Sequence, residues 1–183
     1  PRSVGAGDNP NDFTELFKVV DALNATSPEP YNTALSDIID VERWLSVFAA
    51  EHIVGNWDSY GYNRGKNMFA YKPTRGKWGL LLWDIDFDLA SPDGDAPGTD
   101  LFATNEPMIQ RLYTNPLFRR IYLRICQEAA EGPLAAENLH PLLDAKSKAL
   151  VDNGVPSASL QAIKNYARDR RNYILNQVLP KTN

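Results

Sequence analysis

Asn56-Trp57-Asp58-Ser59-Tyr60-Gly61-Tyr62-Asn63 stands between a helix and a hairpin. Upstream, Asp40 is placed to cap a helix on which Trp44, Leu45, Val47, Phe48 and Ile53 recur at helical spacing, and Gly55 ends it. Downstream, Lys66 to Tyr71 reads as a short strand and Pro73-Thr74-Arg75-Gly76 carries turn chemistry. Lys77 to Trp83 returns as a second strand, and its nearly continuous apolar run predicts that it is buried. Asp84, Asp86 and Asp88 follow at once. Helix, loop and hairpin together predict that Asp58, Asn63 and Asp84 meet in one place. Asp58 lies just past a helix held by the core, which suits a side chain whose position must be fixed closely.

An aspartate, an asparagine and a second aspartate are the parts of a phosphoryl-transfer site: one carboxylate to orient a hydroxyl and two side chains to hold magnesium. Asp58 and Asn63 also have the D-x-x-x-x-N spacing of the kinase catalytic loop. Asp84, Asp86 and Asp88 would point to one side of an extended chain, where a divalent cation would offset their repulsion. A solvated acidic turn is the alternative, and Trp83 and Phe87 among the acids favour a partly buried site.

Taken in order, Asp40-Val41-Glu42-Arg43-Trp44-Leu45, Asn56-Trp57-Asp58, Asn63, Lys66-Asn67 and Trp83-Asp84-Ile85-Asp86 resemble the spore coat protein H (CotH) kinase family. The resemblance runs over roughly residues 10 to 180. It implies an atypical protein-kinase-like fold, with transfer of phosphate from ATP to serine or threonine of a protein substrate. It implies Mg2+ (or Mn2+ or Ca2+) as the metal and ATP as co-substrate. Asp58 then takes the place of the catalytic aspartate, and Asn63 and Asp84 those of the metal ligands. Asn67 and Asp86 also fall on the family pattern, Asp86 as a candidate for a second metal site and Asn67 for contact with the nucleotide. Arg64 and Lys66 would either meet a phosphate or stand as exposed charges beside a loop. The resemblance points to an extracellular, cell-surface or spore-coat location. Two other readings stand beside the kinase: a non-catalytic adhesion or coat module with a structural ion, and a phosphohydrolase or nucleotidyltransferase.

The sequence departs from a complete kinase in one respect. A kinase needs a phosphate-covering loop and an upstream strand lysine, and neither is legible here. Gly5-Ala6-Gly7 is a lone G-x-G with no strand before it. The expectation is therefore a C-terminal lobe, a fragment inactive alone, whose partner is a nucleotide-binding N-terminal lobe of the same polypeptide. Residues 1–10 are expected as a flexible lead-in and 11–183 as one domain.

Composition narrows the partners. The chain has 183 residues, 43% of them hydrophobic, enough for one core. A net charge of −4 argues against nucleic acid, and no apolar run is long enough to cross a bilayer. With one cysteine and two histidines a zinc site lacks ligands. Cys126 falls in a helical apolar pattern as a core residue.

The remaining pattern predicts a mostly helical α+β domain, like a kinase C-lobe, with one β-hairpin. Asn11 is placed to cap a first helix, with Phe13, Leu16, Phe17, Val20 and Leu23 on its core face. Ser27-Pro28-Glu29-Pro30 breaks it, and a short helical turn covers Ala34 to Ile39. Ser91 to Asp100 is an acidic glycine- and proline-rich loop, open to three readings: a basic-peptide contact, a calcium site or a solvated loop. Helices open at Glu106-Pro107 and Asn115-Pro116. A third carries Leu139, Leu142, Leu143 and Leu150, and the last runs from about Ser159 to Leu179. Arg168, Arg170 and Arg171 read as a solvated face or a phosphate contact. His140 reads as a packing or surface residue, and His52 as a core histidine or as a helix-borne residue that orients the catalytic loop.

Overall fold

The computed structural model describes residues 9–62 and 65–181. The lead-in assigned to residues 1–10 therefore lies largely outside the described residues, as do Asn63 and Arg64. Among the described residues the elements are α1 (Thr14–Leu23), α2 (Pro28–Ile38), α3 (Val41–Val54), β1 (Met68–Tyr71), β2 (Gly79–Leu82), α4 (Pro107–Thr114), α5 (Pro116–Glu131), α6 (Ala136–Asp152) and α7 (Gln161–Tyr173), which a π-helical turn (Ile174–Val178) and a 3-10 turn (Leu179–Lys181) continue. The architecture is α+β and mostly helical, with a single antiparallel hairpin, as the periodicity predicts.

Helix α3 is the centre of the fold. Asp40 caps it, its Oδ1 accepting the Arg43 N–H at 3.0 Å, and Gly55 closes it in the left-handed region at φ +86°. Trp44, Leu45, Phe48, Ala49 and Ile53 are buried, with α5 on one side supplying Phe118, Tyr122 and Cys126. The rings of Trp44, Phe48, Tyr60 and Tyr113 meet edge-on or tilted at 6.0–6.3 Å between centroids, a geometry that adds to the area they bury. Burial pushes the Cys126 thiol up to about 12, so it is an inert core group.

The hairpin is pinned to the start of α3. Asp40 N–H donates to Trp78 O and Trp78 N–H to Ile38 O, both at 2.9 Å. Trp44 Nε1 donates to the same Trp78 carbonyl, and Arg43 Nε reaches Leu80 O, each at 3.0 Å. The register pairs Met68 with Leu82 and Tyr71 with Gly79.

Several elements differ from the sequence reading. Helix α1 starts at Thr14, not at an Asn11 cap, and buries Val19, Ala22 and Leu23. Phe13, Leu16, Phe17 and Val20, expected on the core face, are exposed. The stripe is amphipathic, but its orientation depends on where α2 packs. Pro28 does not simply break the chain: it occupies the first turn of α2, where its missing N–H costs nothing. Strand β2 is buried only at Gly79 and Leu80, while Leu81, Leu82 and Trp83 face solvent. Helix α6 buries no residue, so Leu142 and Leu150 are exposed as well.

Candidate functional site

Helix α3 delivers Asp58, and its C-terminal end is unusually well fixed. The last carbonyls of a helix lack intrahelical donors, yet each one from Glu51 to Gly55 has a partner here. Glu51 O accepts from the N–H groups of Gly55 and Asn56, and His52 O from the Arg170 guanidinium. Ile53 O accepts from the Tyr166 hydroxyl at 3.3 Å. Val54 O and Gly55 O accept from Leu89 N–H and Asp95 N–H, both at 2.8 Å. The segment that follows Asp84 is thus bonded directly to the helix end that precedes Asp58. Trp57 adds to this, its Nε1 donating to Asp93 O at 2.6 Å and its ring stacking on Phe87 at 5.5 Å.

Arg170 is the buried member of this lock. Besides His52 O it donates to Pro97 O at 2.9 Å and Thr99 O at 2.5 Å, and it is 1% exposed. Among the described residues carbonyl dipoles, not a carboxylate, meet its charge. The solvated-face reading of the three arginines therefore holds only for exposed Arg168, which pairs with Asp169, since Arg171 Nε donates to Ala130 O. His52 is a packing residue, as expected: its two ring nitrogens lie 2.8 Å from Phe48 O and Ala103 O, and its ring stacks on Tyr62. Burial lowers its pKa against the pull of both carbonyls. His140 is half-buried on α6.

Asp58 is 6% exposed, and two neighbours from the hairpin's leading edge converge on it. Lys66 Nζ lies 2.6 Å from Oδ2, and Asn67 Nδ2 donates to the Asp58 carbonyl at 2.8 Å and to Oδ2 at 3.1 Å. Asn67 immediately precedes β1, and Asp84 stands two residues past the end of β2. Since Met68 pairs with Leu82, the bonds from Asn67 draw Asp58 to the open end of the hairpin, where Asp84 leaves it. Asn67 and Asp84 share a left-handed backbone, at φ +56° and +58°. Asn and Asp tolerate that conformation better than other non-glycine residues.

Asp84 and Asp86 are exposed and Asp88 is half-buried, its carboxyl pKa raised by burial and, less, by Asp86. The left-handed turn at Asp84 means that the chain does not stay extended, so the alternation expected of the three acids is lost. Among the described residues no three His, Cys, Asp or Glu side chains converge on one metal position. An oxygen-only pair of exposed carboxylates still fits magnesium, which takes one or two carboxylates and keeps several waters. Clefts of about 280 Å3 between α6 and α7 and about 330 Å3 between residues 90–97 and α7 include none of Asp58, Lys66, Asn67, Asp84 or Asp86.

All the residues of this geometry that carried the resemblance sit on one helix–loop–hairpin unit, and the profile of the CotH kinase protein family matches residues 5–174. The chain belongs to the CotH kinase family. No curated protein matches it. In this CotH chain Asp40 to Leu45 opens α3, Asn56 to Asp58 follows it, Lys66-Asn67 leads into β1, and Trp83 to Asp86 leaves β2. No helix among the described residues is long and apolar enough to cross a membrane. Sequence reasoning missed Glu51 and placed Arg170 on a solvated or phosphate-contacting face, whereas it is buried. Glu51 lies three residues after Phe48, on the buried face of α3, and a carboxyl at an apolar-periodic position was the signal. Arg170 gave no such signal, because its neighbours in the sequence are also charged.

Proposed function

We propose that this chain is the catalytic and metal-binding half of a CotH-type protein kinase, which transfers the γ-phosphoryl group of ATP to a serine or threonine hydroxyl of a protein. The observation that carries the reading is Asp58, nearly buried, held by Lys66 and Asn67 at the open end of the hairpin that carries Asp84. Asp58 orients the attacking hydroxyl and takes its proton as oxygen bonds to the γ-phosphorus and the bond to ADP breaks. Asn67 holds the Asp58 backbone and carboxylate together, so that the base does not swing away during the attack. Lys66 keeps its ammonium on Oδ2 while its side chain is 53% exposed, close enough to solvent to meet an incoming phosphoryl oxygen. Asp84 and Asp86, with Asn63, would hold magnesium, which supplies charge neutralisation on the phosphates when bound.

The exposed hairpin residues Phe69, Tyr71, Leu81 and Trp83 support an apolar contact above the site, with the nucleotide base or with a nucleotide-binding lobe. The same surface suits an adhesion or coat module, the second reading. Incubation of the full-length polypeptide with Mg2+, ATP and acceptor proteins, followed by mass spectrometry of the products, separates the possibilities. Phosphoserine or phosphothreonine that disappears with Asp58→Ala supports the kinase. A nucleotidyl adduct selects the nucleotidyltransferase, and no adduct from a folded protein leaves the binding module.

A further inference from the structure

The Glu51 carboxyl sits on the last turn of α3, seven residues before Asp58, and is 1% exposed. Its Oε2 accepts a hydrogen bond from Asn56 Nδ2 at 2.6 Å, and its backbone carbonyl accepts from Asn56 N–H at 2.9 Å. Asn56 is 0% exposed, and its Oδ1 is a buried acceptor with no donor among the described residues. Glu51 makes no ion pair among the described residues. Six charged or titratable groups on or around α3 are engaged elsewhere. Arg43 is on Leu80 O, Arg119 on Tyr113 O, and Arg124 on Glu42 and Glu128. His52 is on Phe48 O and Ala103 O, Arg170 on three backbone carbonyls, and Lys66 on Asp58.

A carboxylate buried against a single neutral donor is costly to keep charged, and such a group takes up a proton instead. A carboxylic acid beside a carboxamide satisfies both partners: the amide N–H donates to one acid oxygen, and the acid O–H donates to the amide oxygen. The orphaned Asn56 oxygen and the uncompensated Glu51 carboxyl then explain each other. We infer that Glu51 is carried as a neutral carboxylic acid, paired reciprocally with the Asn56 carboxamide, and that this pair is the positioning element that sets the Asn56-Trp57-Asp58 turn. Glu51 touches no reacting atom; it acts through Asn56, two residues before Asp58. Its pKa, raised to about 7 chiefly by burial and opposed by the Asn56 bond, agrees with this. As pH rises through that value the proton leaves, Asn56 Oδ1 loses its donor, and an unpaired charge appears beside the loop.

The effect on catalysis rests on the kinase reading, whereas the protonation itself does not. Infrared difference spectra of wild type and Glu51→Gln, taken from about pH 5 to about pH 9, read the acid directly. A protonated-carboxyl band at pH 6 that titrates near neutrality and is absent in Glu51→Gln is the expected result. Glutamine repeats the pair as two amides with no charge at any pH. The stability of wild type relative to Glu51→Gln should therefore fall from about pH 5 to about pH 7, since buried His52 titrates alike in both. Above neutrality wild-type transfer should fall up to about tenfold per pH unit, and the variant should extend the alkaline limb. An ionised Glu51 at pH 6, or an alkaline limb unchanged by Glu51→Gln, would overturn the inference. If wild type transfers nothing, the kinase reading fails, and the infrared and stability measurements still decide the protonation.

Discussion

Gly55→Ala tests how the end of α3 is fixed before Asp58. Gly55 stands at φ +86°, where an alanine costs roughly 1–2 kcal/mol of left-handed strain. A Cβ there would lie 2.5 Å from the Tyr166 hydroxyl and 2.9 Å from the Asp95 carbonyl oxygen. Neither group yields freely. The hydroxyl is bonded to Ile53 O, and the Asp95 backbone is tied to Gly55 O. Overpacking of this kind costs about 1–3 kcal/mol, and the stiffer unfolded chain returns about 0.4–1 kcal/mol. The net loss is about 1–5 kcal/mol, or roughly 2–20 °C in Tm for a chain of this length. Gly154→Ala isolates the strain, because Gly154 has φ +77° and nothing within 4 Å of its added Cβ. Gly61→Ala isolates the clash, because its Cβ would lie 2.4 Å from the buried Phe48 ring without positive φ. Urea unfolding of the three variants measures the terms. If Gly55→Ala cost no more than Gly154→Ala, the packed helix end would be wrong.

Ala90 holds φ +77° directly after the acidic segment, so Ala90→Gly should stabilise by about 0.5–1 kcal/mol in the same assay, and a loss would contradict the strained turn. Lys66→Met should destabilise by more than the roughly 1 kcal/mol of an exposed pair, since Lys66 is half exposed but Asp58 is nearly buried, and should reduce phosphoryl transfer. An unaltered transfer rate would remove Lys66 from the site. Cys126 should react with a thiol reagent only at the rate of unfolding, even at pH 9, because its thiol is buried and raised to about 12. Rapid labelling of native protein would contradict that burial.

The helix–loop–hairpin unit was legible because its signals are local. Asp40 and Gly55 mark the ends of α3 by cap chemistry, Asn115 does the same for α5, and Pro73 to Gly76 marks the turn of the hairpin. What failed depended on packing. The stripe Phe13-Leu16-Phe17-Val20 has helical spacing whichever face meets the core, and the choice was made by α2. The apolar run of β2 reads as buried, but a two-stranded hairpin leaves one side open, so Leu81 and Trp83 face solvent. In the site, the approach of Lys66 and Asn67 to Asp58 follows from the chain turning left-handed at Asn67, a feature that no periodicity records. The buried carboxyl of Glu51 and the guanidinium of Arg170 depend on partners far along the chain or on protonation, which spacing alone does not carry.

Transfer of label from γ-labelled ATP to protein, measured with Mg2+ on the full-length polypeptide beside Asp58→Ala and Asp84→Ala, decides whether these aspartates carry a kinase reaction. Circular dichroism of each variant reports whether the helices remain. Asp58 as the base and Asp84 as a metal ligand predict transfer by wild type and none by either folded variant. Transfer that survives both substitutions would contradict it.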